Sequence, residues 1–358
     1  MTRDHEHITV RSLCILACIL SGIVVFWQPQ ARTQTMLTRG PYLQIATPAS
    51  MIVRWRTGTA TDSRVQYGTD AGNLGAHVDN TFSTTEHEVA VTGLSPGTRY
   101  FYSVGSTAAV LASGPDFVFY TAPPYRSTQP LRIWVIGDSG TADAGAMAVR
   151  NAYASFTGTR YTDVWLMLGD NAYSSGTDAE YQAAVFDMYP TFLRQTALWP
   201  TIGNHDAGAG NPLPYFQMFS LPLNGEAGGV VSGTENYYSF DYGNIHFICL
   251  DSHLSDRSTT GPMMTWLQGD LSQTTQDWII AYWHHPPYSK GSHDSDTESQ
   301  LIQMRENALP ILEDHGVDLV LTGHSHSYER SYLLDGHYGL SSTLTSGMIK
   351  DSGSGRED

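Results

Sequence analysis

The sequence predicts two structural parts: an all-β sandwich toward the N-terminus and, after it, an α/β domain whose central strands are covered by helices. Three observations carry this. Between Met36 and Pro123, short alternating runs are separated by Gly, Asp and Pro clusters, the pattern of half-buried strands joined by turns. From Leu131 onward, runs that are apolar on both faces alternate with helical stretches, as covered parallel strands do. Between the two lies Thr121–Pro130, with three prolines in ten residues, a stiff segment suited to a boundary.

Residues 1–35 read as an export signal or N-terminal anchor. Arg3 and Arg11 precede Leu13–Trp27, an uncharged stretch of fifteen residues. That is short of the ~20 apolar residues a membrane span needs. A secreted or periplasmic location follows, with no stable membrane association once the signal is removed. Cys14 and Cys18 fall in this segment, so Cys249 stands alone in the rest and no structural disulfide is available. Its place in Ile245–Leu250 makes it a small buried hydrophobe.

Residues 36–123 form the sandwich, with runs at Met51–Trp55, Arg64–Tyr67, Glu88–Val91 and Tyr100–Val104. The piece Gly93–Tyr100 (GLSPGTRY) resembles the turn and tyrosine corner of fibronectin type III domains, in which the Tyr hydroxyl bonds back to the backbone. His77 and His87 read as lone exposed residues, and the module as structural.

In residues 131–358 the strand candidates are Leu131–Ile136, Val164–Leu168, Ile245–Leu250, Trp278–Trp283 and Val317–Leu321, with a weaker run at Leu198–Ile202. The helix candidates are Ala142–Phe156, Asp178–Tyr189, Pro262–Ser272 and Ser299–His315. Ser295 and Glu298 have capping-box spacing before the last of these, and Pro310 should kink or split it. Asp351–Asp358 is a Gly/Ser/acidic tail.

The formal charge is −16, from 19 basic and 35 acidic residues, which argues against a nucleic-acid surface. It also opposes steering of anionic substrates, so a phosphate site must supply its own positive charge, as bound cations would.

Each apolar run hands over to a polar motif: Gly137-Asp138-Ser139-Gly140, Gly169-Asp170-Asn171-Ala172-Tyr173, Gly203-Asn204-His205-Asp206, His284-His285-Pro286 and Gly323-His324-Ser325-His326. Ligands of open α/β sheets gather at the carboxyl ends of strands, so these motifs should converge. In the last of them, persisting strand geometry would point both imidazoles the same way.

The order of these motifs, closing on GHSHSYER, resembles that of the purple acid phosphatases, members of the calcineurin-like metallophosphoesterases. The fibronectin-like module fits that family too, so the resemblance covers nearly all of Met36–Arg330. It implies a fold of two β-sheets sandwiched between helices and a dinuclear centre. By motif position, Asp138, Asp170, Tyr173 and His326 hold the first metal, while Asp170 bridges to a second held by Asn204, His284 and His324. A phenolate with carboxylates suits Fe(III) in the first site, and the nitrogen-richer second site suits divalent Zn, Fe or Mn. The resemblance further implies that His205 faces substrate with Asp206 orienting it, and that His293 is a second substrate-side histidine. His285 is expected to pack beside the site, His246 and His253 to flank a core strand, and Glu329 with Arg330 to form a structural ion pair.

The implied activity is metal-dependent hydrolysis of small-molecule phosphate monoesters. A phosphodiesterase or nucleotidase using the same centre, and an exported binding protein with a vestigial site, are the competing readings. The family usually continues past its YER motif with further strands, so a C-terminal truncation is expected as well.

Overall fold

In the computed structural model, which describes residues 35–208 and 210–352, alternation builds the N-terminal part. Six strands share one hydrogen-bonded network: β1 (Leu37–Gln44), β2 (Ser50–Gly68), β3 (Ala76–Thr92), β4 (Arg99–Gly105), β5 (Val110–Ala112) and β6 (Val118–Tyr120). Met51, Val53 and Trp55 of β2 are buried, every second side chain entering the core. The first half of β2 pairs with β1 and its second half with β4, so one long strand serves both ends of the sandwich. The tyrosine corner is present: Ser95 N–H donates to the Tyr100 hydroxyl at 3.0 Å. His87, expected to be exposed, is instead buried. Its ring stacks on Trp55 at 4.8 Å and bonds the hydroxyls of Thr57 and Ser63 at 2.8 Å each.

The second part holds two sheets. One is parallel, in the order β7 (Ile133–Ile136), β8 (Val164–Met167), β9 (Leu198–Pro200). The other runs β10 (Tyr238–Tyr242), β11 (Ile245–Cys249), β12 (Trp278–Trp283), β13 (Leu319–Thr322), parallel except for β10. The edge strand β10 was missed in the sequence because its YSFDY run is short and partly polar. It forms by folding back on β11 through Gly243.

The sheets face each other where Trp199 stacks on Phe240 at 3.7 Å, and Phe240 stacks in turn on its cross-strand neighbour Phe247 at 4.7 Å. Period-two alternation sorts the second sheet. Phe247, Cys249, Ile280 and Tyr282 join the core between the sheets. Ile248, Leu250, Ala281 and Trp283 pack instead with the helix side chains of α5 (Pro262–Leu271) and of the helical run ending at Asp314. Helix α1 (Ala144–Thr157) covers the first sheet, where Tyr153 stacks on Trp134 at 4.0 Å.

Local signals decided the helix ends only in part. Between α1 and α5, Thr177 and Glu180 close a capping box that opens α2 (Asp178–Tyr181), which passes through a π turn at Gln182–Phe186; α3 (Pro190–Leu193) and α4 (Leu213–Met218) follow. The capping box expected at Ser295 and Glu298 does not form: α6 (Ser299–Gln303) starts without a side-chain cap. As Pro310 requires, the run splits, passing through a π turn at Met304–Ala308 into α7 (Leu309–Asp314).

The two parts are fastened by buried polar contacts. Arg39 is 1% exposed, lies over the Phe186 ring at 4.0 Å, and donates to Gln182 at 2.8 Å and Asp178 at 3.0 Å. The predicted leader and residues 353–358 of the tail lie outside the described residues. Among the described residues, no helix is long and apolar enough to cross a membrane.

His246, expected to flank a strand, is inside β11 and bridges two carboxylates, Asp241 at 2.7 Å and Asp270 at 2.8 Å. Burial opposes its charge, but the two hydrogen bonds and the negative charges win and push it up to about 9. A folded value above the ordinary 6.5 stabilises the protein fully below pH 6.5, and that stability is lost as pH rises toward 9. The chemical denaturation free energy is therefore expected to fall by about 3 kcal/mol between these limits. His246→Phe should flatten that slope and strand Asp270, lowering stability by ~3 kcal/mol at pH 6.

Candidate metal centre

The predicted ligands leave the carboxyl ends of the parallel strands. Asp138 follows β7, Asp170 and Tyr173 follow β8, Asn204 follows β9, His284 follows β12, and His324 and His326 follow β13. Three of them leave through left-handed backbone: Asp138 (φ 53°), Asp170 (φ 52°) and His324 (φ 68°). Such conformations cost non-glycine residues roughly 1–2 kcal/mol each and persist only when neighbours hold them. Asp138 N–H donates to Gly169 O at 3.1 Å, Gly140 N–H to Asp170 O at 3.1 Å, and Gly323 N–H to His284 O at 2.9 Å. The turns also approach each other closely. A Cβ on Gly169 (φ 87°) would meet His284 Nδ1 at 2.6 Å.

The left-handed turn at His324 overturns the expectation that strand geometry carries both imidazoles one way. Strand β13 ends at Thr322, and the two rings part. His324 Nδ1 comes to 3.1 Å from His284 Nε2, while His326 Nε2 stands 3.2 Å from the Tyr173 hydroxyl and 3.7 Å from Asp138 Oδ1.

Asp170 sits between these groups. Its Oδ2 is 3.2 Å from the Tyr173 hydroxyl, and its Oδ1 is 3.4 Å from His284 Nε2. Asn204 Oδ1 is 3.0 Å from the same Nε2. His284 Nδ1–H must donate to the Leu168 carbonyl, 2.8 Å away, because a carbonyl only accepts. A neutral His284 then aims the Nε2 lone pair at Asn204 Oδ1 and Asp170 Oδ1, both acceptors, with His324 Nδ1 also at 3.1 Å. A cation or an extra proton among these atoms would relieve the contact of acceptor with acceptor.

The electrostatics show the same demand. Burial raises the Asp138 carboxyl, opposed by the His284 charge. Burial also works against ionised Asp170, yet the hydrogen bond and charge of His284 with the His205 N–H hold it at about 2. Burial would lower His284, but Asp170 and Asp138 bring it up to about 9. Burial and the two carboxylates push the Tyr173 hydroxyl far up. A bound cation would reverse that last preference by outweighing the carboxylate charge. The donor set of carboxylates, phenol, amide oxygen and imidazoles fits metal ions at this place. Asp138, Asp170 and His284 form one group able to hold an ion.

His205 faces the same space, with Nε2 4.0 Å from Asp170 Oδ2. Asp206, expected to orient it, does something else. Its buried carboxylate accepts from Asn171 N–H at 3.0 Å, Asn171 Nδ2 at 2.9 Å, Gly203 N–H at 2.8 Å and the Tyr181 hydroxyl at 2.6 Å. It therefore ties the Asp170 turn to the Asn204 turn from below. The ring of His205 is set by its Nδ1–H donating to the Ser174 carbonyl at 2.8 Å. His293 does reach the site, stacked on His324 at 3.6 Å. Its Nδ1 is 2.9 Å from Glu298, whose carboxylate also lies 3.5 Å from His324 Nε2. Sequence reading missed Glu298 as a site residue because its spacing to Ser295 matched a helix cap. His285 packs beside the centre as expected, 4.3 Å from the His324 ring, with Nδ1 2.8 Å from Ser252 Oγ. The Glu329 carboxylate accepts from Ser289 Oγ at 2.7 Å and Lys290 N–H at 2.9 Å, which steadies the loop before His293.

Comparison with known proteins places the chain in a family. The calcineurin-like phosphoesterase family profile matches residues 131–328, and the chain belongs to that family. Residues 39–121 match the N-terminal domain of purple acid phosphatases. The chain is 29% identical to purple acid phosphatase 23 of Arabidopsis thaliana over 82% of this chain and 75% of that protein. It is 29% identical to purple acid phosphatase 15 of the same plant, over 68% of this chain and 49% of that protein. A purple acid phosphatase from yellow lupin seeds has the same fold, with TM-score 0.64 at 16% identity over 80% of this chain and 58% of that one. The chain thus spans from about half to three quarters of these relatives' lengths. Within the calcineurin-like phosphoesterases it is a purple acid phosphatase family member, and so one of a family of hydrolases.

Asp206→Ala removes the acceptor of four buried donor contacts. It should lower the denaturation free energy by ~3 kcal/mol or more. Metal content should fall in parallel, because the two turns lose their common tie.

Proposed function

We propose that the chain hydrolyses phosphate monoesters at a dinuclear centre held by Asp138, Asp170, Tyr173, Asn204, His284, His324 and His326. One observation carries this: Asp170 stands between the two groups of candidate ligands, one oxygen toward Tyr173 and the other toward His284, where its carboxylate could be shared by two cations. Tyr173, Asp138 and His326 would complete a hard, oxygen-rich site suited to Fe(III). Asn204, His284 and His324 would complete the second, suited to divalent Zn, Fe or Mn. Such ions lower the pKa of water and offset charge on phosphoryl oxygens.

The protein's own side chains do the rest. His205, fixed through Ser174, presents Nε2 to the open side of the centre, where it donates a proton to the leaving oxygen. His293, held by Glu298 against His324, contacts the phosphoryl group from the opposite flank. Small-molecule esters are the substrates. Export by residues 1–35 rests on the Leu13–Trp27 run, and the domain division lies in Thr121–Pro130.

Asp170→Ala should lose at least about 10³-fold in kcat toward an aryl phosphate and fail to retain two metal equivalents. Unchanged activity would end the two-metal assignment. Tyr173→Phe should keep the fold yet lose visible absorbance from the phenolate–metal pair. His205→Ala should reduce kcat about 10²-fold for alkyl phosphates and much less for nitrophenyl esters, whose leaving groups need no proton. Faster turnover of diesters than of monoesters would instead identify a phosphodiesterase.

A further inference from the structure

A cleft of about 750 Å³ lies between the N-terminal sheet and the last turns of α1, apart from the candidate metal centre. That volume is within the roughly 300–1,000 Å³ of small-molecule sites. Arg99, Arg150 and Arg160 line it, together with the rings of Phe101, Tyr120 and Tyr161, and no Asp or Glu is among its lining residues. In a chain of net charge −16, such a concentration of cations without carboxylates needs an explanation.

The cleft is also placed away from the reaction. Arg160 and Tyr161 lead into the amino end of β8, whereas Asp170 follows its carboxyl end, so cleft and centre lie toward opposite ends of that strand. None of the seven ligand residues lines it.

Its groups are ordered for use. Tyr120 and Tyr161 pack at 4.5 Å, and the Arg99 guanidinium lies 5.0 Å over the Phe101 ring. Arg150 is anchored by donation to Met188 O at 2.6 Å. Arg99 and Arg160 are exposed. The carboxylates adjoining in sequence are already engaged. Asp116 is paired with Arg194 at 2.7 Å. Asp163 feels the charge of Arg160 but accepts Arg132 N–H at 2.7 Å. The end of α1 would repel an anion through free carbonyls, yet Ala154 O receives Gly158 N–H at 3.1 Å and Thr157 O receives Arg160 N–H at 3.0 Å.

We propose that this cleft binds a small aromatic anion, its ring against Phe101, Tyr120 and Tyr161 and its acidic group between Arg99 and Arg160. Guanidinium groups supply charge-assisted hydrogen bonds and the rings supply apolar contact.

The test is calorimetric titration of the metal-loaded full chain with naphthalene-1-sulfonate, using uncharged 1-naphthol as the second probe. One saturable sulfonate site is expected, kept in the presence of excess inorganic phosphate. It should weaken about tenfold or more in the Arg99→Gln/Arg160→Gln double variant, with Lys350→Gln unchanged. Both arginines are surface residues, so circular dichroism should not change. The proposal is overturned by an absence of saturable binding, by equal affinity for 1-naphthol, by displacement with phosphate, or by sulfonate binding indifferent to the two arginines.

Discussion

Acceptor groups aimed at one another are the constraint around which this molecule is built. Asp138, Asp170, Asn204 and the Nε2 of His284 converge, and the two carboxylates draw positive charge onto His284. Left alone, such a cluster would relax apart or take up protons. It stays together because each turn is hydrogen-bonded to the next: Asp138 to Gly169, Gly140 to Asp170, Gly323 to His284. The strain of three left-handed non-glycine residues is thereby held in the scaffold, and cations can resolve the repulsion without moving it.

The support reaches well below the ligands. Asp206 joins two turns through backbone and side-chain donors and is itself buried, with burial pushing its carboxyl up to about 7 against the opposing Tyr181 and Gly203 hydrogen bonds. Arg305, 1% exposed in the π turn, donates to Tyr338 O at 3.0 Å and Pro287 O at 3.2 Å and also to Ser295 O, clamping the loop that carries His293. A π turn widens the helix at the position where this side chain leaves it. The N-terminal sandwich belongs to the same support, since Arg39 is buried against α2 and the π turn that follows it.

The strand ends and the candidate ligands that follow them were legible because both rest on local patterns, an apolar run and a polar motif after it. Asp138, Asp170, Tyr173, Asn204, His284, His324 and His326 all stand within one cluster or at its rim. What local pattern mistook were residues whose role depends on a distant partner. His87 is buried because Trp55, Thr57 and Ser63 lie across the strand pair from it, and His246 because Asp241 and Asp270 close on it from two elements. Glu298 carried the spacing of a helix cap and became a partner of two histidines.

The amino-acid sequence by itself determined which side chains could bind metal and that each follows a strand, since side-chain chemistry and hydrophobic periodicity are properties of neighbours in the chain. Only the tertiary structure decided which way each one faces. The left-handed turn at His324 sends two nearby histidines to different partners, and the Ser174 carbonyl rather than Asp206 sets His205. Orientation at a strand end is fixed by contacts between segments tens to hundreds of residues apart, and those contacts exist only once the sheets have assembled.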